Sequence, residues 1–247
     1  MITFIKNKAL IFIFILLTWH ILALFQDPII LPKPFIVFKL VLKLLFIKDT
    51  YFSIIYSLMR VFLGIIFIFS FGIPFGICLG ISKNIKNIFI PIINIFQRIP
   101  IISWILLSLI WFNQSIIPII ILVFNSLPIV LTNIYEGIVN VDKTLIDMSN
   151  FYNVPIYKKI KSLYIPSVMS HIISSLSIVF NTSFKVVLMA EIITKNNDGI
   201  GNKINIAWLN IETEYILAWT IISIILTVLL DYIKEFLIKK KFGEILC

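Results

Sequence analysis

Apolar residues in this chain come in long unbroken runs, at about 9–25, 58–81, 88–111, 115–135, 167–190 and 215–233. Each approaches or exceeds the roughly 18–20 residues that carry a helix, at about 1.5 Å per residue, across a hydrocarbon core about 30 Å thick. Stretches such as IIPIIILVF at 116–124 lack the two-residue alternation of a membrane-barrel strand. The pattern predicts an all-α polytopic membrane protein of about six transmembrane helices. Two segments depart from it. Residues 34–50, PFIVFKLVLKLLFIKDT, set Lys39 and Lys43 among apolar neighbours, which predicts an amphipathic helix in the outer interface or a simple lead-in to the second span. Residues 147–166, DMSNFYNVPIYKKIKSLYIP, place a polar, basic, proline-punctuated stretch between spans four and five. The organisation expected is a first helix with the amphipathic segment over 1–50, a membrane core over 51–235 and a basic tail over 236–247.

Composition agrees: of 247 residues, 60% are hydrophobic and 13% charged, where a soluble domain carries about 25% charge. The formal charge of +9 would suggest nucleic acid in a soluble protein, but in a membrane the question becomes which side each cation occupies. With a cytoplasmic N-terminus, six crossings put 12 of the 21 basic residues inside (Lys6, Lys8, Lys83, Lys86, Lys143, Lys158, Lys159, Lys161, Lys234 and Lys239–Lys241). Six lie outside, and Arg60, Arg98 and Lys185 fall within or beside spans. That bias predicts both termini and the stretch 147–166 in the cytoplasm. The run 9–25, after Lys6 and Lys8, lacks a small-residue cleavage site before Gln26 and is expected to be a retained helix rather than a signal peptide.

Enzyme chemistry finds little support. Cys78 and Cys247 make no disulfide framework or metal site, and His20 and His171 lack partners at ligand spacing and are expected as satisfied polar residues within the bundle. No G-x-x-x-x-G-K-[ST] motif occurs, so neither a cofactor nor an ATP site of its own is expected.

The polar stretch predicts a helix, a tight turn and a second short helix. Asp147 to Tyr152 is expected to continue helically from span four, Asn153 to close that helix in the left-handed conformation, and Pro155 to open the next one. On the second helix Ile156, Ile160, Leu163 and Tyr164 share one face, Lys158, Lys159 and Lys161 point elsewhere, and Pro166 marks the restart into span five. Such a helix suits either a partner surface or the lipid headgroups. On span two Gly72, Gly76 and Gly80 recur every four residues around Pro74, a spacing suited to close helix packing, with a subunit or gate contact as the functional alternative. Arg98 beside Pro100, Lys185 and Glu191 are charges near the membrane interior, where an ion faces a cavity or a partner. Arg98 reads equally as an anion-attracting pathway residue or a structural anchor, and Lys185 and Glu191 could pair across a helix break. Asp231 is expected at the cytoplasmic interface, and Gly199 and Gly201 in a flexible outer loop.

The polar stretch resembles the cytoplasmic loop of bacterial ABC importer permeases, which reads Glu-Ala-Ala, three residues, Gly, nine residues, Ile-x-Leu-Pro. The same frame here holds Asp147, Met148, Ser149, then Asn153, then Leu163, Ile165 and Pro166. SLMRVFLG at 57–64, GIPFGICLGIS at 72–82, QRIPIISWILLSLIWFN at 97–113, LPIVLTNIYEGIVNVD at 127–142 and MAEIITKNNDGIGNKI at 189–204 look like successive blocks of the nitrate, sulfonate and taurine branch. Asn113 stands where that branch usually has Gly, which is expected to disturb a local turn. The resemblance covers about 50–233 and implies a homodimeric permease in the bacterial inner membrane, without an ATPase site of its own. It implies further a cytoplasmic ATPase subunit met by a coupling helix at 155–164, an extracytoplasmic solute-binding protein, and a small solute such as nitrate, a sulfonate or taurine. The competing class, an ion-coupled secondary transporter, would need midplane carboxylates and inverted repeats.

Overall fold

The computed structural model describes residues 2–242 apart from Asn197, with the side chains of 2–9, 12 and 237–242 outside that description. Cys247, the end of the basic tail, and the side chains of Lys6, Lys8, Lys239, Lys240 and Lys241 therefore lie outside the described residues.

The chain forms α1 (Ile2–Leu24), α2 (Pro34–Leu45), α3 (Lys48–Ile81), α4 (Lys83–Arg98), α5 (Ile101–Trp111) and α6 (Ile117–Val139). After them come α7 (Lys143–Phe151), α8 (Ile156–Lys159), a π turn (Ile160–Tyr164), α9 (Ile165–Ser167), α10 (Met169–Thr194), α11 (Ile200–Leu209) and α12 (Thr213–Phe242). No strand occurs among the described residues. Four helices, α3, α6, α10 and α12, are each long and apolar enough to cross a membrane.

The seam between α3 and α6 organises the bundle. A Cβ on Gly64, Gly72, Gly76 or Gly80 would meet Leu122, Val130, Ile134 or Ile138, so α3 offers a backbone groove into which one stripe of α6 inserts. The partners rise together along both helices, so α3 and α6 run parallel. The packing expected of Gly72, Gly76 and Gly80 is observed, and Gly64 extends it.

Two parallel spans joined by 35 residues require the chain to return between them. It does so through α4 and α5, which meet at 98°. The run 88–111 is thus a bent pair and not one straight helix. The reason lies in RIPI: Pro100 drives Ile99 into extended backbone (φ −71°, ψ 126°) and itself caps α5 with ψ 134°.

α10 runs antiparallel to both partners. Asn133 donates to Ser175 at 3.1 Å and Gly137 lies against His171, while Phe62 meets Phe180 and Ser57 meets Glu191. The bundle therefore has a loop end, where α7–α9 connect α6 to α10, and a far end, where α11 connects α10 to α12. α2 is amphipathic as expected: Val37, Leu40, Val41 and Leu44 are buried, Lys39 and Lys43 are exposed, and the helix packs on α12. α1 touches the rest through Trp19, which donates to the Pro32 carbonyl at 3.1 Å and meets Phe38, and leaves the apolar side chains of Ile13–Leu24 mostly exposed. His20 is on that exposed surface, not within the bundle.

The seam predicts unequal costs for equal substitutions. Gly64→Ala meets the far end of the Leu122 side chain at 2.5 Å and is relieved by Leu122→Ala. Gly80→Ala meets the Ile138 Cβ itself at 2.3 Å, which no shortening of Ile138 to Ala removes. Thermal unfolding in detergent should show Gly80→Ala destabilised by about 1–3 kcal/mol, unrescued by Ile138→Ala, and Gly64→Ala restored by its partner substitution.

Candidate functional site

Three places gather the chemistry of this chain, one at each end of the bundle and one at mid-depth. At the loop end the helix of α6 stops at residues 140–142, and Asp142 caps a new helix by accepting from the Thr144 N–H at 2.9 Å. The expectation that 147–152 continues span four is therefore corrected: α7 is a separate helix. The Thr144 side chain, and after it this backbone hydrogen bond, hold the exposed Asp142 carboxyl below the usual aspartate range. Their contribution is complete above the unfolded-state value and disappears as pH falls through the lowered folded value.

α7 ends as its sequence predicts. Asn153 has φ +48°, its N–H bonds the Asn150 carbonyl at 2.9 Å, and Val154 N–H bonds the Ser149 carbonyl at 3.0 Å, a Schellman closure. Pro155 caps α8 instead of occupying its first turn. Lys159 Nζ reaches back to Asn150 Oδ1 at 2.6 Å and ties the two short helices together. Asp147 is exposed, and Ser149 Oγ bonds the Ile146 carbonyl at 2.7 Å.

The predicted apolar face is divided by the π turn at Ile160–Tyr164, which shifts the register. Ile160, Leu163 and Ile165 pack against this chain's own core, Tyr164 is buried, and Pro166 stays exposed in α9. Of that face only Ile156 is left open. What the loop presents outward is Leu145, Met148, Phe151, Tyr152, Ile156 and Tyr157, with Phe151 81% and Tyr152 70% exposed. Sequence reasoning missed the aromatic pair, although Phe151–Tyr152 between Asn150 and Asn153 was a visible signal.

At mid-depth, the break between α4 and α5 faces the middle of α6 and leaves a half-open cavity of about 400 Å³. Phe96, Gln97, Ile99, Ile101, Trp104, Phe124, Asn125, Ile129 and Thr132 line it. Trp104 stacks on Phe96 (centroids 5.1 Å, 27°) and leans on Phe124 at 4.7 Å. Its indole N–H and the Ser108 hydroxyl are buried without a hydrogen-bond partner among the described residues. Pro100 makes the break but Arg98 is exposed and outside the lining, and so is Lys185 on α10.

The far end holds a buried ion pair. Arg60 Nη1 lies 2.6 Å from Glu191 Oε1, and Glu191 is fully buried. Ser57 Oγ donates to Glu191 Oε2 at 2.8 Å and accepts from the Ile200 N–H at 2.9 Å, while the Gly201 N–H reaches Oε2 at 2.9 Å. The Glu191 carboxylate thus sits on the first N–H groups of α11, where a helix end favours negative charge. Arg60 also donates to the Asp198 carbonyl at 2.9 Å and to Asn196 Oδ1 at 3.3 Å, and Asn196 Nδ2 reaches the Gln114 carbonyl at 2.8 Å. Lys185 is therefore not the partner of Glu191.

Nor is the Gly199–Gly201 segment a flexible loop. A Cβ on Gly199, at φ +107°, would lie 2.6 Å from the carboxylate, and one on Gly201 2.4 Å from the Glu191 Cβ. Both glycines exist so that backbone can press against Glu191. The signal missed in the sequence was Arg60, a cation within an apolar run. At the α5–α6 turn, Asn113 is absent from the positive-φ residues. Asp231 is partly exposed and pairs with the buried Lys234 at 2.9 Å.

Residues 72–242, more than half of the chain, match the family of binding-protein-dependent transport system inner membrane components. The chain belongs to that family. Among relatives, a putative ABC transporter permease of Methanocaldococcus jannaschii is 24% identical over 86% of this chain and 82% of its own length. The taurine transport system permease protein TauC of Escherichia coli is 24% identical over 88% and 82%. The bicarbonate transport system permease protein CmpB of Synechococcus elongatus is 25% identical over 62% and 56%. Among solved structures, a chain of a bacterial alginate ABC transporter in complex with an alginate pentasaccharide-bound periplasmic protein has the same fold, with TM-score 0.66 at 15% identity, covering 96% of each chain. The inward-facing MetNI methionine ABC transporter gives 0.64 at 16%, covering 76% of this chain and 94% of that one.

This chain is the membrane-spanning permease subunit of an ABC importer. As a permease it is a multi-pass membrane protein that works with an ATPase and a solute-binding protein. The far-end pair is part of how the permease holds its shape. Glu191→Ala should leave Arg60 buried and uncompensated and destabilise the detergent-solubilised permease by about 3–5 kcal/mol. The double variant Arg60→Met/Glu191→Leu should lose less than either single truncation, as read by thermal unfolding.

Proposed function

We propose that this permease works as a homodimer, with both termini cytoplasmic, and that the α7–α8 tip is its docking surface for a separate ATPase subunit. The observation that carries the proposal is the tip itself: six apolar side chains stand out beside Lys143 and Lys158, on a turn closed by backbone and by Lys159–Asn150 hydrogen bonds. An exposed apolar patch on a fixed turn is what an obligate partner would cover. ATP would bind to that partner, since this chain has no Walker motif, and no cofactor or nucleic acid enters the scheme. An extracytoplasmic binding protein would deliver the solute at the far end, and the solute would pass the α4–α5 break, where Pro100 lies.

Of the other charges named from the sequence, Lys185 is exposed on α10 and is proposed to face the second copy or the pathway, while Glu191 is committed to Arg60. Two relatives are named for taurine and bicarbonate, and the expectation of a small anion here rested on Arg98 and the net charge. Arg98 does not line the cavity, and no lining residue bears a formal charge, so the permease reading is proposed without an anionic solute. The ion-coupled alternative is disfavoured because the one buried carboxylate among the described residues is the paired Glu191.

Co-purification tests the docking surface. Wild type extracted in mild detergent should retain a P-loop ATPase subunit. Phe151→Asp should lose it by at least tenfold while the permease accumulates normally in the membrane. Ile160→Asp, which puts a charge against the core, should instead lower the amount of folded permease. Retention of the ATPase by Phe151→Asp at wild-type level would remove the assignment.

A further inference from the structure

The cavity at the helix break has a chemistry of its own. Its polar lining lies on α4 and on the middle of α6, at a depth where amide side chains do not face lipid, and irregular backbone survives there only inside protein or beside a cavity. Its volume of about 400 Å³ suits a small organic molecule. Three aromatic rings contribute to the lining: Trp104 and Phe96 are nearly parallel at 27°, and Phe124 stands at 82° to Phe96 and 55° to Trp104.

The hydrogen-bonding capacity is small and specific. Asn125 Nδ2 gives one bond to Ser126 Oγ at 3.3 Å, which leaves its carbonyl and one N–H. Thr132 Oγ1 spends its proton on the Pro128 and Ile129 carbonyls at 3.1 and 3.0 Å and keeps only acceptor capacity. Gln97 supplies a second amide. The Trp104 indole N–H is buried away from the cavity space and adds nothing to that capacity.

We infer that this cavity is a transit site for a flat, uncharged heteroaromatic solute, which stacks on the Trp104–Phe96–Phe124 wall and bonds through its edge to Asn125 and Gln97. The inference rests on the permease reading and deepens it. Each alternative fails on the lining. A small anion would find no cation among the cavity residues, a quaternary ammonium would find no carboxylate and a neighbouring Arg98, and a sugar would leave most of its hydroxyls without partners among three polar side chains. An amide-bearing ring matches both the number and the kind of groups present.

Equilibrium dialysis of the full-length permease in lipid nanodiscs tests this with radiolabelled nicotinamide, cytosine, glucose, choline, taurine and bicarbonate. Nicotinamide or cytosine should be retained. Retention should weaken at least fivefold in Asn125→Leu and in Trp104→Leu, and should persist in Phe151→Asp, which alters only the loop end. Thermal unfolding of each variant separates lost binding from lost fold, and the milder Trp104→Phe, which keeps an aromatic ring beside Phe96, should retain the probe better than Trp104→Leu at wild-type stability. Retention of taurine, bicarbonate, choline or glucose in place of the heteroaromatics would overturn the assignment. So would heteroaromatic retention unchanged by the cavity variants, or no retention of any probe. Those results leave ATPase co-purification untouched, so the two readings fail separately.

Discussion

Everything in this permease follows from how closely α3 and α6 approach. Four glycines on one face of α3 receive Leu122, Val130, Ile134 and Ile138 of α6. In lipid there is little hydrophobic gain in bringing two apolar helices together, so association relies on close van der Waals fit, which small residues make possible. Because the two helices point the same way, the segment between them must return from the loop end to the far end. That segment is too short for an additional pair of crossings, and it returns as one bent pair with its break beside Pro100. The cavity at mid-depth is the space this break leaves against α6.

The two ends of the bundle are treated differently. At the far end the chain spends a buried ion pair, two glycines and an asparagine to lock α3, the start of α11 and the turn before α6 into one unit. The loop end is held by light, local devices: an exposed Asp142 cap, a Schellman turn and one lysine–amide bond. The π turn between α8 and α9 lets the inner half of the loop serve the core while its tip stays open. A tip of this kind can carry force into α6 and α10, the two spans it joins, without disturbing the locked far end.

Much of this was legible in the sequence because it depends on local rules. Long apolar runs revealed the spans, Asn153 and Pro155 revealed the turn, and the glycine spacing revealed a packing face. What was not legible depends on which residues meet in space. Arg60 and Glu191 lie 131 positions apart, so the only partner weighed for the acid was the nearer Lys185. The side of α8 that faces inward is set by a π turn, which leaves no pattern in a short segment. The aromatic wall joins Phe96 and Trp104, on opposite sides of the break, to Phe124 on another span. Pro91 and Pro100 were both visible, but a proline within the largely apolar run 88–111 reads as a kink until a parallel neighbour requires a right-angled return.

The claim on which the rest depends is that α4 and α5 together cross the membrane once. In a background with Cys78 and Cys247 replaced by serine, single cysteines introduced as Lys83→Cys, Lys143→Cys and Gln114→Cys can be labelled with a membrane-impermeant thiol reagent, from either side, in sealed vesicles. The parallel seam predicts that the first two react from one side and Gln114→Cys only from the other. Labelling of Lys83→Cys and Gln114→Cys from the same side, with Lys143→Cys reacting only from the other, would make the bent pair a re-entrant loop and would contradict the parallel packing of α3 and α6.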